Sequence, residues 1–201
     1  MMKDVITGKP QLNRQINASL VFDLIRRKGP LSRAQLSALT NLRPPSVSSI
    51  VEQLLRERRI HEIGTGPSSG GRSPILLEVD PKGASVVGIE ITERFVQGAL
   101  ANLKGEEEAS LSAPLRSTKP AAVIQVIAGL VKHLIRKANV AQNDVASIGV
   151  AVPGLLNHRD GAVELSVPLD WKNVALRDQL EDKTGLKVHI INNAIAATLA
   201  E

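Results

Sequence analysis

Between Arg43 and Arg59 the chain reads RPPSVSSIVEQLLRERR, and its polar residues recur so that a helix would gather them on one side. Pro45, Ser46, Ser49, Gln53 and Arg56 share that side, with Arg43 just ahead of them, while Val47, Ile50, Val51, Leu54 and Leu55 take the other. The polar side is small near its start and lengthens toward Gln and Arg, a profile that lets the first turns sink into a groove. Hydroxyls, an amide and guanidinium groups are the donors and acceptors that read base edges and grip phosphates. Arg58 and Arg59 fit equally well as cations at a helix C-terminus. Arg72 stands where the Gly/Ser-rich stretch GTGPSSGG returns, and its small neighbours leave it free to enter a narrow, electronegative minor groove. A second candidate lies at the other end, in HIINNAIAATLAE. The amide of Asn193 hydrogen-bonds a hydroxyl as donor or acceptor, but it is no general base near neutral pH.

These residues need elements to hold them. Ile16, Leu20, Val21, Leu24 and Ile25 predict the apolar stripe of a first helix, stopped at Lys28-Gly29-Pro30. In LSRAQLSALTN, Ser32 and Gln35 have capping-box spacing, Leu36 and Leu39 form a short apolar face, and Asn41 suits a left-handed helix end. A third helix is expected from about Pro44 to Arg58. RRIHEI, the glycine-rich tip and RSPILLEV then read as a β-hairpin. Two short helices joined by a tight turn, the second with a polar outer face, followed by such a hairpin, make a winged helix-turn-helix.

Charge divides the chain in the same way. Residues 1–80 carry 12 Lys/Arg and 7 Asp/Glu, a net of +5, whereas residues 81–201 carry 13 of each. A basic head on a neutral body implies a polyanion-binding module, and double-stranded DNA is the expected partner. The boundary is placed at EVDPKGAS, giving domains 1–80 and 81–201. In the body, strands are expected at about 85–92, 95–103 and 107–113, then a helix over about 121–138 and a strand in DVASIGVAV. With no cysteine, disulfides are excluded, and His61, His133, His158 and His189 have no metal-like spacing, so neither metal nor cofactor is expected. No apolar run approaches membrane-spanning length, which predicts a cytoplasmic protein without a membrane partner.

The stretch GPLSRAQLSALTNLRPPSVSSIVEQLLRERRIHEIGTGPSSGGRSPILLEV resembles the winged helix-turn-helix of transcriptional regulators in the ROK family, which includes xylose-operon and N-acetylglucosamine repressors as well as sugar kinases. LSRAQL, SVSSIV and GGR occur in order at family-like spacing. Where the family usually caps the recognition helix with Ser, this chain has Arg43; the missing cap costs about 1 kcal/mol, and Pro44 at the first helical position offsets part of it. The β-β-β-α-β order of the body is similar to the first lobe of the family's actin-like (ribonuclease H-like) fold. The fold class implied is therefore α+β followed by α/β: an N-terminal winged helix-turn-helix and one actin-like lobe.

The resemblance also implies what the body does. Family kinases carry Asp, two glycines and Thr in the first hairpin turn, where Glu90, Thr92, Glu93 and Arg94 stand here. Two carboxylates and no turn glycine repel a triphosphate. The family's base, the Asp of Asn-Asp-Ala, corresponds to Asn193. Both departures point to a lobe that recognises sugar without phosphorylating it, with Pro153, Gly154, Asn192 and Asn193 as its sugar contacts and Ser166 to Trp171 in the cleft wall. The family's second lobe, which bears much of the dimer contact, is not found in these 201 residues, so the chain is expected to be a natural truncation or a fragment of a protein that is homodimeric at full length. The leading expectation is a repressor of carbohydrate-utilisation genes with a sugar effector; a sugar kinase and a sugar-binding or oligomerising fragment with a vestigial DNA head are the alternatives.

Overall fold

A long helix, α1 (Pro10–Lys28), opens the part of the chain that the computed structural model describes, residues 10–67 and 73–200. Arg26, Arg27 and Lys28 crowd its last turn, where the helix dipole favours cations. Asp23 accepts from both Arg26 and Arg27, and these guanidinium groups hold its carboxyl below the usual carboxylate range. Val21 and Ile25 are buried, as their spacing predicts, but Ile16 and Leu20 are 55% and 43% exposed. Ile16 and Ile25 are nine residues apart, which at about 100° per residue sets them on opposite sides of the helix. One stripe cannot hold both.

After α1 come a two-residue strand, β1 (Leu31–Ser32), and two helices, α2 (Arg33–Thr40) and α3 (Pro44–Arg56). The capping box forms as its spacing predicts: Ser32 Oγ accepts from the Gln35 N–H at 3.3 Å, and Gln35 Oε1 accepts from the Ser32 N–H at 2.8 Å. Asn41 closes α2 in the left-handed region at φ 56. Leu36 is buried, whereas Leu39 is 47% exposed, so the apolar face of this short helix rests on one residue. α3 buries Val47, Ile50, Val51 and Leu54 and ends two residues sooner than its charge pattern suggests, because Arg58 turns the chain at φ 55. Strands β2 (Ile60–Thr65) and β3 (Ile75–Val79) complete an antiparallel sheet of order β1-β3-β2, whose Ile60, Leu77 and Val79 are buried. These elements belong to one unit of the chain, Met1–Gly83, and the remainder to a second, Ala84–Glu201.

The second unit is built on a five-stranded sheet. β4 (Ser85–Ile91), β5 (Phe95–Asn102) and β6 (Glu107–Pro114) form an antiparallel meander close to the predicted positions, and α4 (Pro120–Lys137) follows. β7 (Val145–Val152) returns parallel to β4. A small antiparallel sheet comes next, β8 (Leu155–Asn157), β9 (Ala162–Ser166) and β10 (Trp171–Val174). Then α5 (Leu176–Thr184), β11 (Val188–Asn192) and α6 (Asn193–Ala200) finish the described chain, giving the order β11-β7-β4-β5-β6. Alternate residues of the strands, among them Val87, Ile89, Ile91, Val96, Leu100, Ile148, Val150 and Val152, share a buried cluster with Ile127, Leu130 and Leu134 of α4. Gly98 lies on that covered face, and a Cβ there would run into Leu130, Ile89 and Leu134. A larger residue here would make the methyl ends of these side chains shift between α4 and β5.

Trp171 corrects one expectation. It is 2% exposed within this core, and its indole N–H donates to the Thr118 carbonyl. It is a packing anchor and presents no face to a cleft.

Candidate functional site

α3 turns its small polar residues outward. Arg43, Pro45, Ser46, Ser49 and Arg56 are exposed and Gln53 is half-buried, on the side opposite the buried Val47, Ile50, Val51 and Leu54. Pro45, Ser46, Ser49 and Ile50 form one wall of a groove of about 570 Å³. Its other wall comes from α1: Asn13, Arg14 and Asn17. No sequence pattern points to those three, because the groove exists only once α1 and α3 pack together. Gln53 donates to Glu57 at 2.8 Å, and Arg56 donates to its own helix at the Glu52 carbonyl. Arg72 lies outside the described residues.

The turn between α2 and α3 is fixed by short side-chain bonds. Ser37 Oγ donates to the Leu42 carbonyl at 2.6 Å, and Thr40 Oγ1 donates to the Leu36 carbonyl while accepting from the Leu42 N–H. Arg43 then stands at the N-cap of α3 with no side-chain cap bond. Replacing Arg43 with Ser adds a side-chain acceptor that shares the Ser46 N–H with the residue-43 carbonyl, to which it already donates at 2.9 Å. The variant is expected to stabilise its unit by about 0.5–1 kcal/mol, read from urea denaturation, while weakening duplex binding by loss of a cation.

In the second unit, Pro153 and Asn193 come together and Gly154 and Asn192 do not join them. Ile91, Thr92, Glu93, Arg94, Phe95, Pro153, Pro168 and Asn193 line a pocket of about 300 Å³. Pro168 belongs to the Ser166 to Trp171 stretch expected in the cleft wall, whereas Phe95 was not legible as a lining residue. Asn193 Nδ2 donates to the Ile91 carbonyl at 3.3 Å, and its Oδ1 is buried with no partner. Asn192 is engaged by the protein itself: Nδ2 donates to the Gly154 carbonyl at 2.8 Å, and Oδ1 accepts from the Ala194 and Ile195 N–H groups at the start of α6. Gly154, at φ 126, leaves no room for a Cβ against the Leu165 carbonyl. Gly154 and Asn192 therefore set the shape of the loop on which Pro153 and Asn193 sit.

The hairpin turn beside this pocket uses its own polar groups. Thr92 Oγ1 accepts from the Arg94 and Phe95 N–H groups at 3.3 and 3.1 Å and faces the Phe95 carbonyl at 3.0 Å. A phosphate-binding turn needs free N–H groups and a free hydroxyl. This one has committed both to itself, and Glu93 adds a negative charge to the pocket lining beside the positive Arg94. Glu90 is turned to another part of the sheet, where it accepts from Gln97.

Residues 86–201 match the family model described as ROK family. The chain belongs to the ROK family. It is 32% identical over 198 residues to a protein named xylose repressor from Caldicellulosiruptor bescii, covering 96% of this chain and 49% of that protein. A crystal structure described as a ROK family transcriptional regulator, a homolog of the E. coli MLC protein, superposes with a TM-score of 0.79 at 28% identity, over 94% of this chain and 48% of the other. The ROK hexokinase from Thermus thermophilus has a TM-score of 0.52 at 25% identity and covers 58% of this chain and 38% of the other. The chain thus spans about half the length of the curated relatives it matches. The regulator's likeness extends over both units, since 94% coverage exceeds what either unit supplies alone; the hexokinase's 58% does not.

Among the described residues no helix is long and apolar enough to cross a membrane, and no three His, Asp or Glu side chains converge as a metal site.

Proposed function

We propose that this ROK family chain is a sequence-preferring DNA-binding protein, a cytoplasmic repressor of carbohydrate-utilisation genes whose first unit works as a winged helix-turn-helix. The observation that carries this reading is the outward face of α3, with small hydroxyl residues at its start and arginines at its ends. Ser46 and Ser49 are the base-reading residues, Gln53 and Arg56 extend the contact, and Arg43 and Arg72 reach the backbone and minor groove. The relative named xylose repressor and the solved ROK regulator support the assignment over nearly the whole chain. A gel-shift with the sequence flanking the protein's own gene, run over a salt series, tests it. Binding is expected to fall steeply as salt rises, because each Lys/Arg contact releases condensed counterions. Equal binding by residues 81–201 alone would sink the reading.

The kinase neighbours favour a second reading, phosphoryl transfer to a sugar. The closed Thr92 turn, Glu93 and the amide of Asn193 argue against it. In the proposed role the pocket accepts a sugar effector, with the unpartnered Asn193 Oδ1 accepting a hydrogen bond from a sugar hydroxyl beside Pro153. Neither the wild type nor Asn193→Asp is expected to form sugar phosphate from ATP and a panel of hexoses and amino sugars, since the turn still lacks a phosphate cradle. Turnover by either protein would restore the kinase reading. A homodimer would match the two-fold symmetry of most operators read by such modules.

A further inference from the structure

Helix N-termini commonly hold phosphates through their first free N–H groups. α3 has none to offer. Pro44 and Pro45 lack the N–H, and those of Ser46 and Val47 already donate to the Arg43 carbonyl at 2.9 and 3.1 Å. A helix that begins this way must leave the anchoring of a nucleic-acid backbone to side chains.

The neighbouring wall of the groove carries side chains of the right chemistry. Asn13, Arg14 and Asn17 of α1 face Pro45, Ser46 and Ser49 across it. Asn13 and Arg14 are exposed and Asn17 is half-buried, and none of the three has a side-chain hydrogen bond or ion pair among the described residues. Four other arginines of the same unit differ. Arg26 and Arg27 are held by Asp23, Arg33 by Glu62 and Arg59 by Glu57, so their charge is compensated within the fold. Arg14 has no such carboxylate partner among the described residues, and it stands beside the residues through which α3 is proposed to read bases.

We propose that Arg14, with the amides of Asn13 and Asn17, forms a phosphate-binding wall on α1 that grips the DNA backbone flanking the α3 contact. The site rests on the reading of α3 as the base-reading helix. A guanidinium suits the task because its forked donors engage two phosphate oxygens at once, and the flanking amides donate to the remaining oxygens or to the sugar. α1 thereby fixes the register of α3 in the groove, the role that the proline start denies to α3's own backbone.

The test uses the full 201-residue chain and the duplex it selects from a randomised pool. Arg14→Ala is expected to weaken binding roughly ten-fold at 0.1 M salt and to lower the slope of log affinity against log salt by about 1, the value of one lost phosphate contact. The loss should be the same on the selected duplex and on scrambled ones, with the melting temperature unchanged because Arg14 has no partner among the described residues. Asn13→Asp, which sets a carboxylate against the backbone, should weaken binding further, and Arg14→Lys should recover part of the slope. An unchanged slope in Arg14→Ala, with the wild type binding normally, overturns the phosphate wall and leaves the α3 reading standing. A change in base preference instead of a uniform loss also overturns it, since a phosphate contact carries no sequence information. Failure of the wild type to select any duplex refutes both readings together.

Discussion

A chain carrying Ser46→Glu together with Ser49→Glu is expected to lose duplex binding by more than about 100-fold, since like charges brought together at an interface cost several kcal/mol. It should melt no earlier than the wild type. Both serines are exposed and line the groove, so neither carboxylate disturbs the core. The first turn of α3 has no acidic residue, and a Glu at position 46 meets the positive end of the helix dipole, which favours the fold by a few tenths of a kcal/mol. Stability and binding are therefore pushed in opposite directions by the same change. Gel-shift titration beside thermal melting reads both. Binding within about three-fold of the wild type would move the interface away from α3, because two carboxylates cannot sit against a duplex carrying one negative charge per about 1.7 Å without cost. Ser46→Ala with Ser49→Ala gives the contrasting control: affinity falls modestly, while base preference shifts at the positions the hydroxyls read.

That face of α3 was legible in the sequence for a simple reason: it is the complement of an apolar stripe of four buried residues, and one helical period fixes both. The capping box and Asn41 were legible because they are local, decided within four residues. The features that escaped are those decided by packing. The exposure of Ile16 is different, since the helical period itself sets it opposite Ile25 and the expected stripe joined residues that no single face can hold. β1 and the strands β8 to β10 have between two and five residues each, too few to show alternation. α5 offers only Leu176 and Leu180 to the core in an otherwise polar segment, so its helical signal is a single four-residue repeat. At the candidate sites, the paired asparagines drew notice as a type of residue, but their division of labour did not. Asn192 caps α6 and ties down Gly154, whereas Asn193 keeps an unpartnered oxygen beside the pocket. The α1 wall of the groove was invisible because it is a product of two helices that are separated in sequence and packed in space.

Trp171→Ala is expected to destabilise the unit Ala84–Glu201 by about 3–5 kcal/mol, the range for removing a fully buried large aromatic side chain. For a unit of this size the melting midpoint should fall by roughly 10–20 °C. Volume and hydrogen bonding both contribute. The ring fills the core among β-sheet and helix residues, and its N–H supplies the Thr118 carbonyl, which lies two residues before α4 begins. The indole thus pins the small sheet to the start of α4 across 53 residues of sequence. Trp171→Phe separates the two contributions: it restores most of the apolar volume and leaves the carbonyl without its donor, an expected cost of about 1–3 kcal/mol. Trp171 is the protein's one tryptophan, so wild-type unfolding of this unit is seen by fluorescence and the variants by calorimetry and circular dichroism. If Trp171 belonged to a sugar cleft, the alanine variant would keep its midpoint and lose sugar affinity. A midpoint within about 3 °C of the wild type, corresponding to less than roughly 1 kcal/mol, would therefore return it to the cleft wall. As a core anchor it should instead lower the midpoint of its own unit and leave the α3 face, and with it duplex binding below that midpoint, unchanged.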